Sequence, residues 1–271
     1  MKGGEHIVMN NNSNIGVFDS GVGGTTVLKE ILKVLPHENI LYYGDSGNAP
    51  YGQKSTEEIQ KLCCRILDFF IANNCKAVVV ACNTATAAAL DKLKNTYSIP
   101  IIGVISAGVK GALKVTKNNR INILATPFTV DSNAYIKELR KHFKSFKITQ
   151  EGCPEFCPMI EIGWETHPDR YDILKSHISH LSQEADTLIL GCTHYPIIKN
   201  DIERFFSGNI VDPARETALE LYSLLRLNDL LNTSSKIGKV EFFVTGDKKL
   251  FKKIAEQFLE FEIKNIYQID K

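Results

Sequence analysis

Short apolar runs recur along the chain, at residues 15–18, 40–43, 77–81, 101–105, 121–125, 187–190 and 241–244. Most lack the every-other-residue alternation of a half-exposed strand, as expected for strands covered on both faces of a parallel sheet. Stretches with helical spacing lie between them. Thr56-Glu57-Glu58 offers a cap candidate with acids in the first turn and predicts a helix over 56–70. Pro127 and Pro196 each suit a first helical turn, where a missing N–H costs nothing. The basic run 137–147 reads as the solvated face of another helix. Strand–helix alternation of this kind predicts an α/β fold on parallel sheets.

One pattern occurs twice. Val78-Val79-Val80-Ala81-Cys82-Asn83-Thr84 is similar to Leu188-Ile189-Leu190-Gly191-Cys192-Thr193-His194. Each is an apolar strand, a small residue, a cysteine and then polar residues. Open α/β sheets bind ligands beyond the carboxyl ends of their strands, so both thiols stand where a ligand would. Two such units predict two similar parallel-sheet α/β lobes with the site in the cleft between them. For the cysteines to face each other, residues 1–107 with 215–271 form one lobe and 108–214 the other. Residues 1–14 are polar and Asn-rich and read as a loose tail, not a signal peptide.

Composition narrows the function classes. Of 271 residues, 44% are hydrophobic, enough for a proper core. Lys plus Arg number 32 against 31 Asp plus Glu, so neither nucleic acid nor an anionic membrane is an expected partner. No apolar run has the length of a membrane span, and a cytoplasmic protein is expected. The seven cysteines are odd in number and should be thiols in that compartment. Only Cys153 and Cys157 are spaced as a ligand pair, without a matching second pair, so no metal site is expected.

Several segments are candidates for chemistry. Asp19-Ser20-Gly21-Val22-Gly23-Gly24 follows a strand, but Thr26 stands where a dinucleotide fingerprint needs glycine, and no P-loop lysine follows. What remains is a Gly-rich turn that either offers N–H groups to a carboxylate or is simply capped by Asp19. Asn48-Ala49-Pro50-Tyr51-Gly52 is a substrate-contacting loop or a surface turn. Cys63, Cys64 and Cys75 lie on or just after a helix and read as small hydrophobes. Cys82 and Cys192 instead end strands ahead of helix starts, which favour thiolates. His194 is a proton partner for Cys192, and Asp19 for Cys82 if the loops are neighbours. Cys153-Pro154-Glu155-Phe156-Cys157-Pro158 reads as a rigid crossing between lobes, with Glu161 either a working carboxylate or a solvated one. From the residues alone, a two-lobe amino-acid binder with structural or redox-sensing cysteines stays open beside an enzyme.

These motifs, with Pro50-Tyr51-Gly52, Ala81-Cys82-Asn83-Thr84-Ala85 and Gly191-Cys192-Thr193-His194-Tyr195-Pro196, together resemble glutamate racemases from residue 15 to about residue 225. His-Tyr-Pro after Cys192 is similar to that branch rather than to aspartate racemases. The resemblance implies reversible interconversion of L- and D-glutamate without cofactor or metal, a role in peptidoglycan synthesis, and a homodimer. It implies that Cys82 takes the α-proton of D-glutamate and Cys192 that of L-glutamate. Asp19, His194 and Glu161 would assist. Asp19, Ser20, Pro50, Tyr51, Gly52, Asn83, Thr84, Thr126, Thr193 and His194 would hold the substrate. Where the family often has Gly-Thr, this chain has Ala125-Thr126-Pro127, which keeps the threonine. The chemistry suits the residues. Inversion needs a base on one face of the α-carbon and an acid on the other, and a thiolate with a thiol supply both.

Overall fold

The apolar runs form strands packed from both faces, in a computed structural model that describes residues 10–142 and 145–270. The strands are β1 (Ile15–Asp19), β2 (Ile40–Gly44), β3 (Ala77–Val80), β4 (Ile101–Gly103), β5 (Arg120–Ala125), β6 (Lys147–Gly152), β7 (Thr187–Gly191), β8 (Asn209–Val211), β9 (Val240–Val244) and β10 (Ile266–Gln268). The helices are α1 (Thr25–Val34), α2 (Thr56–Ala72), α3 (Asn83–Thr96), α4 (Val104–Val115), α5 (Pro127–Asp131), α6 (Ala134–His142), α7 (Phe156–Gly163), α8 (Arg170–Ser179), α9 (Lys199–Ile202), α10 (Pro213–Leu227) and α11 (Lys248–Leu259).

Two all-parallel sheets result, six strands in the order β10-β9-β2-β1-β3-β4 and four in the order β6-β5-β7-β8. They are the two α/β lobes. The chain leaves the first sheet after β4, passes through α4, builds the second sheet, and returns through α10 to β9. Helix α10 packs on both α1 and α4, so the lobes meet through helices. One apolar cluster runs through both, joining Val17, Leu28 and Tyr42 to Leu188, Tyr195 and Ala218. Among the described residues no helix is long and apolar enough to cross a membrane.

The differences from expectation have local causes. Strands β6, β8 and β10 were not expected. All three end their sheets, β8 and β10 have three residues each, and none is a continuous apolar run. The run 101–105 is strand only to Gly103, because Val104 and Ile105 turn their apolar side chains inward from α4 instead. Helix α2 begins after Ser55, whose hydroxyl accepts from Glu58 N–H while the Glu58 carboxylate accepts from Ser55 N–H, a reciprocal cap. Of the basic run, the part to His142 is in α6, 143–144 lie outside the described residues, and Lys147 already belongs to β6.

The supposed loose tail is anchored where it is described. The Asn14 carbonyl accepts from Lys76 N–H, the Asn12 carbonyl from the Asn39 amide, and the Asn11 carbonyl from Lys76 Nζ. Lys76 is 0% exposed and pairs at 2.5 Å with Glu38, 2% exposed. Removing one partner would strand the other charge in the core, at a cost of roughly 3–5 kcal/mol. Lys76→Ala should therefore lower the urea midpoint by that stability. An unchanged midpoint would mean that water solvates Glu38 freely.

Candidate active site

The carboxyl ends of β1, β3, β5 and β7 converge on one cavity of about 420 Å³. Its walls include Ser20, Pro50, Tyr51, Gly52, Cys82, Asn83, Thr84, Thr126, Glu161, Cys192, Thr193 and His194, all singled out by sequence. Asp19 lies one layer behind, 1% exposed.

Cys82 ends β3 and caps α3, its sulfur accepting from the Ala85 N–H at 3.4 Å. It donates to Ser20 Oγ at 3.6 Å. Burial, reinforced by the nearby Asp19 carboxylate, pushes this thiol up to about 12, so it keeps its proton. Asp19 is itself pushed up to about 6 by burial, which the His194 charge and the Gly21 N–H at 2.9 Å only partly offset.

Cys192 is shifted the other way, toward the thiolate. Only a single-turn 3-10 helix, Tyr195–Ile198, follows it, so a helix dipole contributes little. Side chains do the work. The Cys157 thiol lies 3.4 Å from its sulfur and His194 Nδ1 lies 3.7 Å away. Together they outweigh burial and hold Cys192 well below the usual thiol range. Burial alone would depress His194, but Cys192 and Glu161, the latter 2.8 Å from Nε2, hold its pKa well above the usual range. The cavity thus contains one cysteine pushed toward the thiol and, separately, a hydrogen-bonded chain Cys192–His194–Glu161 that pulls the second cysteine toward the thiolate.

Polar contacts between the lobes set the walls. Thr26 Oγ1 donates to the Thr193 carbonyl at 2.9 Å, and Thr193 Oγ1 to Asp19 at 3.3 Å. Gly23 allows this approach, since a Cβ there would fall 2.4 Å from Thr193 Oγ1 and 2.5 Å from the His194 ring. Tyr135 donates to Asn83 Oδ1 at 2.7 Å, which leaves the Asn83 amide N–H groups without that partner. The hydroxyls of Thr84, Thr126 and Thr129 cluster at 3.0–3.4 Å. Asp45 fixes the 50–52 loop, accepting from Tyr51 at 2.6 Å and from Thr245 at 2.7 Å. The hydroxyl of Tyr51 is therefore engaged, and its ring forms the wall.

The segment 153–158 does not cross between lobes. It joins β6 to α7 within the second, because β6 pairs with β5 as the edge of that sheet. Helix α7 then turns Cys157, Pro158, Glu161 and Ile162 toward the cavity. Cys157 was missed as a site residue. The available signal was its spacing of four from Glu161, which puts both on one helical face. Among the described residues, two clusters each hold three ligand atoms within 4.8 Å of one another: Cys157, Cys192 and His194 at the cavity, and Glu151, His177 and His180 outside it.

Two cysteines thus stand in one cleft between parallel-sheet lobes, with surroundings that shift their proton affinities in opposite directions. Residues 7–221 match the family described as Asp/Glu/Hydantoin racemase. The chain belongs to that family and is an isomerase. A glutamate racemase of Fusobacterium nucleatum is 49% identical over 258 residues, covering 95% of this chain and 97% of its own. The crystal structure of a glutamate racemase isoform from Bacillus anthracis matches with a TM-score of 0.93 at 39% identity, covering 96% of this chain and 98% of that one. A Francisella tularensis glutamate racemase, solved in complex with D-glutamate, matches at 0.90 and 37%, with the same coverage.

Asp19 supplies a pH test. Its rise from 3.8 to about 6 means that ionising it in the fold costs roughly 3 kcal/mol more than in the unfolded chain. Its stability contribution is complete below 3.8 and lost as pH rises through about 6. Asp19→Asn, which keeps the acceptor for Gly21 N–H, should be the more stable protein near pH 7 by up to that amount. The gap should close toward about pH 4. Urea unfolding of both proteins across this range checks it, and a gap independent of pH would contradict the assignment.

Proposed function

We propose that the protein is a glutamate racemase that inverts L- and D-glutamate by proton transfer between two bases, Cys82 and Cys192. One observation carries this reading: a single cavity brings together Cys82, pushed toward the thiol, and Cys192, pulled toward the thiolate. Family membership and the D-glutamate in the Francisella tularensis structure support the choice of substrate.

In the resting state, Cys192 is ready to take the α-proton of L-glutamate, and Cys82 to deliver a proton to the opposite face. As the proton leaves, charge flows into the substrate carboxylate. Fixed donors must meet it there, and the Asn83 amide with the hydroxyls of Thr84, Thr126 and Thr193 are of the right kind. After one turnover the protonation states are exchanged. Ser20 and the Ala85 N–H lie within reach of the Cys82 sulfur and would support its thiolate for D-glutamate. His194, backed by Glu161, does the same for Cys192, while Asp19 sets the charge balance behind both. Two thiols suffice, so the reaction requires no pyridoxal phosphate, flavin or metal. The same reading assigns D-glutamate to peptidoglycan synthesis, the enzyme to the cytoplasm, the working form to a homodimer, and the lobe boundaries to 107/108 and 214/215.

Cys82→Ala and Cys192→Ala should each lower racemisation by at least about 10²-fold, the scale of a lost general base or acid. Cys63→Ala, in the core of α2, should keep most of it. Circular dichroism of each pure enantiomer, with no added cofactor, gives the rates, and full activity in either cavity variant would reject the two-thiol mechanism.

Serine variants separate the directions. Cys82→Ser should still exchange the α-hydrogen of L-glutamate with deuterated solvent, and Cys192→Ser that of D-glutamate. NMR of the exchange decides between two bases and one. Equal exchange of both enantiomers by one variant would mean that one base serves both faces.

A further inference from the structure

Cys157 has no part in the proposed proton transfer, yet it lies 3.4 Å from the sulfur that performs it. We propose that Cys157, Cys192 and His194 form a three-ligand site for a thiophilic divalent cation of the Zn²⁺ class, its fourth position open to the cavity.

The distances fit such an ion. A tetrahedron with Zn–S near 2.3 Å and Zn–N near 2.0–2.1 Å has S···S edges of about 3.8 Å and S···N edges of about 3.5 Å. Here the sulfurs are 3.4 Å apart and Cys192 Sγ is 3.7 Å from His194 Nδ1, with all three donor atoms within 4.8 Å of one another. The two edges at Cys192 are within a few tenths of an ångström of the ideal values, and the third pair, Cys157 with His194, is within 4.8 Å.

The surroundings fit as well. His194 presents Nδ1 to the sulfur because Glu161 holds Nε2 at 2.8 Å, the carboxylate–imidazole–metal arrangement that orients ligating histidines. Charge also balances. With the ion bound, two thiolates and one neutral imidazole face a divalent cation, the ligand protons having left to solvent, so the buried group carries no net charge in a low-dielectric region. Three protein ligands with an open fourth position match reactive rather than structural zinc sites. Sequence spacing conceals the set, since Cys157 and Cys192 come from different elements. Resting on the racemase reading, one consequence follows: a bound ion occupies the Cys192 sulfur and stops racemisation.

Cobalt(II) is the probe, added to the full-length protein kept reduced by a non-thiol reductant and free of substrate. One equivalent should produce a thiolate-to-cobalt charge-transfer band and tetrahedral ligand-field bands, and Zn²⁺ should bleach both. Cys157→Ser and Cys157→Val should abolish the charge-transfer band or weaken affinity at least about 10-fold, and Glu161→Gln should weaken it about 10–100-fold. Cys63→Ser and Cys153→Ser should retain the bands. Far-ultraviolet circular dichroism checks that each variant is folded. No thiolate band in the wild-type protein, or a band unchanged in both folded Cys157 variants, overturns the site. Racemisation is assayed separately. An active enzyme without the band loses only the metal site, and a Cys157-dependent band in an inactive protein loses only the racemase reading.

Discussion

A buried thiolate survives only beside a positive charge and a hydrogen-bond donor, and at Cys192 those are the His194 ring and the Cys157 thiol. The ring is in turn kept protonated by Glu161, against its own burial. This chain of three groups gives the cavity its asymmetry. Cys82 is buried in the same cavity with Asp19 beside it instead of a cation, and both push it toward the thiol. The two sulfurs therefore differ in proton affinity because their neighbours differ, although each follows a similar apolar strand.

The fold exists to bring those neighbours together. Parallel strands buried on both faces end at one level, and the loops beyond them become the walls of the cleft. Thr193 links the halves twice, accepting from Thr26 at its carbonyl and donating to Asp19 from its hydroxyl. Any side chain at Gly23 would intrude on that contact. Helices α1, α4 and α10 supply the apolar packing that keeps the lobes in register. Small adjustments between lobes would alter both thiol environments at once, since Asp19 and His194 come from opposite sides of the cleft.

Much of this was legible beforehand, for a definite reason. Strands β1, β2, β3, β5, β7 and β9 are rich in apolar side chains because helices cover them, and that leaves a visible run. Strand β6 shows no such run, as Lys147, Thr149, Gln150 and Glu151 are tolerated at a sheet edge. Cys82 and Cys192 could be picked out because position at a strand end is a local property. Cys157 could not, because what matters about it is a contact with a residue 35 positions away.

By itself the sequence determined where β1, β3, β5 and β7 end to within about one residue, and hence which side chains stand at the mouth of the cavity, because burial and turn chemistry are written within a few neighbouring residues. It also determined that the chain carries two thiols in equivalent settings. Only the tertiary structure decided which of them is pulled toward the thiolate. A thiol's proton affinity depends on groups within a few ångströms, and here those groups arrive from separate segments: Asp19 from β1, Cys157 and Glu161 from α7, His194 from the loop after β7. Their distances to the sulfurs follow from how two lobes pack, and no local pattern of residues encodes that packing.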